Sequence, residues 1–155
     1  MNVLLLDDRL DNTRSEGYAL RQALEARGHQ VVGARSVPEA QMAVGNFPDG
    51  GNLDVAVIDL QLAPPDVPHV TGAAFARELR QCRGMDRVAL VIFTINETPG
   101  AVEEKNKTGP QWGVWHLRQD TDTADCVHRI ELWSAEWNGA MPEDEMPGGL
   151  VSSGG

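Results

Sequence analysis

Alternation of apolar runs with helix-periodic segments predicts an α/β domain built on a doubly wound parallel sheet. Three of the runs, residues 3–6 (VLLL), 54–60 (DVAVIDL) and 87–95 (RVALVIFTI), are apolar almost throughout. Strands read this way when helices cover both faces of a parallel sheet. The intervening segments carry their apolar residues at helical spacing. Strand, helix and strand in succession, joined by right-handed crossovers, give a sheet with helices on both sides. A chain of 155 residues suffices for one such domain and its core.

Residues 3–6 form the first strand and run into the acid pair Asp7-Asp8. Residues 12–27 then read as a helix, with Tyr18, Ala19, Leu20, Ala23 and Leu24 at helical spacing, Asp11 as a capping candidate and Gly28 as terminator. Residues 30–34 supply a short second strand around Val31 and Val32. Ser36-Val37-Pro38-Glu39 has the form of a capping box, opening a short helix through Met42 and Val44 that Gly45-Asn46 closes.

The third strand, residues 54–60, is the most strand-like segment and is apolar up to Asp59. A loop over residues 61–71 follows, with Pro64, Pro65 and Pro68. Gly72 leads into a helix carrying Ala73, Phe75, Ala76 and Leu79 and ending near Arg83-Gly84. Residues 87–95 are the fourth strand and residues 114–117 the fifth. Between them, residues 97–111 contain Pro99, Gly100, Gly109 and Pro110 and few apolar side chains, which predicts a stub of helix at 101–105 within a mobile loop. The last helix spans residues 123–137, with Val127, Ile130, Trp133 and Trp137 on one face. From Asn138 the composition turns to Gly, Pro, Ser and acid, so the expected domain is 1–137 and residues 138–155 form a disordered tail.

Bulk properties exclude several function classes. A net charge of −10 opposes a nucleic-acid surface, which needs a positive field. No apolar run approaches a membrane span, and the opening run lacks the basic flank of a signal peptide. A cytoplasmic protein is expected. Cys82 and Cys126 have no metal-type spacing and both fall in helical stretches, so buried thiols are expected rather than a disulfide. His116 and His128 read as structural, and Trp112 and Trp115 as core, while Trp133 and Trp137 are candidates for a partner-docking face.

In open α/β sheets ligands bind outside the carboxyl ends of the strands. Asp7 and Asp8 follow strand one, Asp59 ends strand three and Thr94 stands near the end of strand four. Taken singly, each has a bland explanation: an aspartate after an apolar strand is ordinarily a turn or helix cap. Taken together they converge if strands one and three are neighbours. Three such carboxylates repel one another and call for a cation or a shared proton. Oxygen ligands of this kind suit Mg²⁺, which keeps several waters and pairs with phosphate. A carboxylate beside Mg²⁺ can attack phosphorus to form an aspartyl phosphate, and the Thr94 hydroxyl could donate to the group so formed.

Residues 4–8 (LLLDD), 55–60 (VAVIDL), Thr71-Gly72 and 91–94 (VIFT) together resemble the response-regulator receiver family, over roughly residues 1–137. The resemblance implies a five-stranded flavodoxin-like sheet of order 2-1-3-4-5. It implies Asp59 as phosphoacceptor, and Mg²⁺ held by Asp7, Asp8, Asp59 and the main-chain carbonyl of Gln61. It implies a histidine kinase or histidine phosphotransfer protein as donor and a downstream protein as target; a second copy of the chain is a further candidate partner. No nucleic acid and no membrane are expected among the partners. Beyond self-catalysed phosphoryl transfer and aspartyl-phosphate hydrolysis, no dedicated enzyme activity is implied.

The chain departs from the family pattern at three places. Gln119 stands where the family has a phosphate-pairing lysine, and the only lysines, Lys105 and Lys107, lie in the loop before strand five. Arg118 is one position away, so strand alternation points it to the opposite side. Ile95 replaces the usual small residue after the threonine, and the loop after Asp59 is longer and richer in proline than is usual. Two function classes follow. One is a stand-alone receiver phosphorylated on Asp59 that signals by protein contact. The other is a pseudo-receiver, a binding module that acts without phosphorylation. A hydrolase using Asp59 as nucleophile is disfavoured, because the second acid such enzymes carry two residues on is replaced by Gln61.

Overall fold

Five parallel strands form one sheet in the order β2-β1-β3-β4-β5, as expected from the sequence. The computed structural model describes residues 1–45, 47, 51–59, 72–82, 85–94 and 113–145, apart from the side chains of residues 73, 94 and 139–145. The strands are β1 (Asn2–Leu6), β2 (Gln30–Ala34), β3 (Val55–Ile58), β4 (Ala89–Thr94) and β5 (Val114–Arg118). The described helices are α1 (Glu16–Ala26), α2 (Val37–Ala43), α3 (Gly72–Gln81) and α4 (Thr123–Glu145). The expected helical stub at 101–105 lies outside the described residues.

Strand alternation divides the core into two layers. Val3, Leu5, Val55, Val57, Val91, Phe93 and Leu117 face α1 and α4, where Leu20, Leu24, Val127 and Ile130 meet them. Leu4, Leu6, Ala56, Ile58, Leu90 and Ile92 face the other way, onto Ala40, Phe75, Ala76 and Leu79. Both faces of the central strands are thus dry, which is why residues 3–6 of β1 and all of β3 are apolar.

Local chemistry adjusts several expected boundaries. The first helix begins at Glu16 rather than near Asn12, because Ser15, and not Asp11, is its cap: its Oγ accepts from the Tyr18 amide at 3.2 Å. Asp11 instead pairs with Arg35. The second helix is capped by Ser36, whose Oγ accepts from the Glu39 amide at 3.3 Å. Glu39 reaches back one residue further than in the usual box and accepts from the Arg35 amide at 3.0 Å. The last helix continues past Trp137 to Glu145, into the segment expected to be disordered: extending a formed helix needs no new nucleus, and it carries on through Gly139 and Pro142.

Trp115 and Trp133 stack with centroids 5.7 Å apart and planes 8° from parallel, and Trp137 meets Trp115 edge-on at 6.5 Å. Trp133 and Trp137 therefore pack against the core. Trp137 lies over Gly113, whose φ of +70° and lack of a side chain let the indole approach; a Cβ there would stand 2.5 Å from it. Trp112 lies outside the described residues. Both cysteines are free; Cys126 is buried as expected, but Cys82 is exposed because it follows the last turn of α3 rather than lying on its inner face. Burial pushes the Cys126 thiol up to about 11. Among the described residues, no helix is long and apolar enough to cross a membrane.

Candidate functional site

The register of the sheet brings the acids together. Leu6 pairs with Ile58 across β1 and β3, and Ile58 with Ile92 across β3 and β4. The next residues along, Asp7 and Asp59, leave the carboxyl ends of adjacent strands side by side. Their amides continue the ladder, Asp7 donating to the Ala34 carbonyl and Asp59 to the Leu6 carbonyl, each at 2.9 Å. Asp7 is fully buried, Asp59 is 3% exposed and Asp8 is half-buried. One carboxylate oxygen from each lies within 4.8 Å of the other two.

Two glycines shape this pocket. A Cβ on Gly17, in the first turn of α1, would stand 2.2 Å from Asp7 Oδ2, and one on Gly72, at the start of α3, 2.0 Å from the Asp59 main-chain oxygen. Each helix therefore starts against an acid only because its residue there has no side chain. Asp7 Oδ1 accepts from the Arg9 amide at 2.8 Å, while Oδ2 is buried without a hydrogen-bond partner among the described residues. Burial pushes the Asp7 carboxyl above the ordinary carboxylate range; the Arg9 amide and the Arg9 charge offset part of that rise. A buried acceptor with nothing to accept from, beside two more carboxylates, fits a small hard cation held through oxygen.

Gln119 is buried, 3% exposed, as the first residue beyond β5. Its Nε2 donates to the Phe93 carbonyl oxygen at 3.1 Å, and its Oε1 accepts from Arg9 Nη2 at 3.2 Å. Arg118 points outward, as strand alternation requires, and forms a two-bond pair with Asp120, each bond 3.0 Å. Thr94 ends β4 at the expected strand end, paired in register with Arg118, but its side chain lies outside the described residues, as do Gln61, Ile95, Lys105 and Lys107. His128 is exposed on α4 and His116 is half-buried on β5.

Arg9 is the site residue that sequence reasoning missed. Its position after the acid pair was visible, but its partner lies 110 residues away and is reached only across the folded sheet.

No family model matches the sequence, and no curated protein matches it. Solved structures do match in three dimensions. A CheY-like response-regulator receiver domain protein from Methanospirillum hungatei superposes with a TM-score of 0.66 at 17% identity, covering 90% of this chain and 97% of its own. A response-regulator receiver domain from Clostridium thermocellum gives a TM-score of 0.67 at 19% identity, with 90% and 98% covered. The receiver domain of a sensor histidine kinase from Pseudomonas aeruginosa gives 0.63 at 19% identity, with 86% and 97% covered, and holds a magnesium ion in its active-site cleft. The fold of this chain is that of response-regulator receiver domains.

Proposed function

We propose that this domain accepts a phosphoryl group on Asp59 from a phosphohistidine of a histidine kinase or phosphotransfer protein, and passes the signal on by protein contact. The observation that carries this reading is the placement of Asp59: it ends the central strand, almost wholly buried, with oxygens of Asp7 and Asp8 within 4.8 Å. The magnesium in the cleft of the Pseudomonas aeruginosa receiver domain supports a cation at the same place. Asp7, Asp8, Asp59 and the Gln61 carbonyl would hold Mg²⁺, which when bound supplies positive charge to the phosphoryl oxygens.

The residues of the chain do the rest. A carboxylate oxygen of Asp59 attacks phosphorus in line, and the bond from phosphorus to the donor imidazole nitrogen breaks. Reversal of the signal is hydrolysis: a water oxygen adds to phosphorus, the bond to Asp59 breaks and inorganic phosphate leaves. Thr94 is the candidate donor to a phosphoryl oxygen. The reading assigns this function to residues 1–137 in the cytoplasm; truncation after Asn138 is expected to leave phosphorylation intact.

The second reading is a pseudo-receiver that binds its partner without phosphorylation. It is favoured by Gln119, whose uncharged carboxamide stands in the lysine position and is already engaged on Phe93. Incubation with a small phosphodonor and Mg²⁺ separates the two. One added phosphoryl mass that disappears in Asp59→Asn supports the first reading, and an unchanged wild-type mass with no beryllofluoride binding supports the second.

A further inference from the structure

We infer that Arg9, held in place by Gln119, supplies the cationic contact to the phosphoryl group on Asp59 that the absent lysine does not. The inference rests on the reading of Asp59 as phosphoacceptor.

The sheet order makes the Arg9–Gln119 contact informative. β1 and β5 are separated by β3 and β4, three interstrand steps or roughly 14 Å. A bond between residues just beyond β1 and β5 must pass the carboxyl ends of the strands between them, and the end of β3 is Asp59. Gln119 lies at the same mouth: it is bound to Phe93, which follows Ile92, the register partner of Ile58, just as Asp59 follows Ile58.

Arg9 is also prepared for the role. Its amide donates to Asp7 Oδ1 at 2.8 Å, and its carbonyl accepts from Ser15 Oγ at 2.8 Å and from the Asn12 amide at 3.0 Å. The main chain of Arg9 is thereby fixed, while its side chain is 45% exposed. A guanidinium offers five N–H donors in a planar fork suited to phosphate oxygens. Gln119 takes one, and the Glu16 carboxylate stands 3.8 Å from Nη2. Donors remain for a phosphoryl oxygen. Gln119 does what a lysine could not, since a carboxamide can accept the arginine and donate to the main chain at once.

The plain competing role for Arg9 is screening of the acid cluster. The two roles part over beryllofluoride: screening alone leaves its binding to the Mg²⁺-loaded protein close to wild type. If Arg9 contacts the phosphoryl group, Arg9→Ala and Arg9→Gln should weaken beryllofluoride binding in the presence of Mg²⁺ by roughly ten- to a hundredfold, the worth of a charge-assisted hydrogen bond. Mg²⁺ alone should bind both variants as well as or better than wild type, because a cation has been removed beside three acids. Arg9→Gln keeps a donor for Gln119 and guards against a folding defect, which thermal melting would register. Adding Gln119→Lys to Arg9→Ala should restore most of the lost affinity, read by ¹⁹F resonance titration. The inference is overturned if either single variant binds beryllofluoride like wild type, or if Mg²⁺ and beryllofluoride affinities fall together. A wild type that holds Mg²⁺ but no beryllofluoride sinks both the inference and the phosphoacceptor reading. Arg9 variants that bind it like wild type sink the inference alone.

Discussion

The Gln119 carboxamide donates to the Phe93 carbonyl oxygen at 3.1 Å, joining the carboxyl end of β5 to that of β4 beside Asp59. The bond is buried at both ends, and the same carboxamide holds Arg9 through its oxygen. Gln119→Leu would leave the Phe93 oxygen without this donor and Arg9 without its acceptor. A buried polar group left unpaired costs about 1–3 kcal/mol. Urea unfolding should show a loss in that range, together with weaker beryllofluoride binding. A Gln119→Leu protein as stable as wild type would mean the contact contributes nothing.

Asp7 makes the metal-free protein pay for its site. Its folded-state carboxyl is raised by burial above the ordinary range, so the unfolded chain gives up this proton more readily than the folded one. The stability tied to the neutral carboxyl is therefore full below the unfolded value and is lost as pH rises through the folded one. Asp7→Asn should raise the melting midpoint of the metal-free protein by a few degrees near neutral pH. Mg²⁺ at millimolar concentration should stabilise wild type by ligand linkage and leave Asp7→Asn much less affected. Differential scanning calorimetry with and without EDTA checks both halves; equal responses to Mg²⁺ would argue against Asp7 as a ligand.

Gly72 is required by contact rather than by backbone angle. A Cβ at this position would stand 2.0 Å from the Asp59 carbonyl oxygen and 3.0 Å from Ile58 Cγ2, and the first of these is main chain that cannot swing aside. Gly72→Ala should cost about 3 kcal/mol, near the top of the range for overpacking. Gly45→Ala is the control: nothing lies within 4 Å of its would-be Cβ, so the change should be neutral or slightly stabilising. Chemical denaturation of the two variants side by side tests the contrast.

At the other end of the sheet, Arg27 donates two hydrogen bonds to Glu131, at 3.0 and 2.8 Å, and His29 Nε2 lies 2.6 Å from it, clasping α1 to α4. The Arg27 bonds first, and His29 second, hold the Glu131 carboxyl down to about 2. Its stabilising contribution is therefore fully present above the ordinary glutamate value of about 4.3 and is lost as pH falls toward 2. With Arg27 63% exposed, the contribution is no more than about 1 kcal/mol. Glu131→Gln should lower stability by that amount at pH 7 and converge with wild type at the acid end. Parallel melting curves over that range would decide it.

The doubly wound architecture was legible in the sequence because its cause is local. Runs such as residues 3–6 and 55–58 are apolar at every position, and only a strand covered on both faces needs that. The acid cluster was legible for a related reason: once strands one and three are neighbours, ladder geometry alone sets Asp7 beside Asp59. The capping box at Ser36 was equally local, whereas the start of α1 was misplaced because Ser15, Asp11 and the acid pair all offer capping oxygens within one turn-rich segment. What only the tertiary structure decided are contacts between residues far apart along the chain. Trp133 and Trp137 could have faced a partner until Trp115 was seen to occupy their faces. Strand alternation already set Arg118 and Gln119 on opposite sides, but that Gln119 would meet Phe93 was decided only by the fold. Arg9 meets Gln119 only because the sheet order sets four strand ends in one row, and a side chain from the first can reach the last. Periodicity records which face a residue takes, but the partner it meets there depends on which distant segment the fold brings alongside.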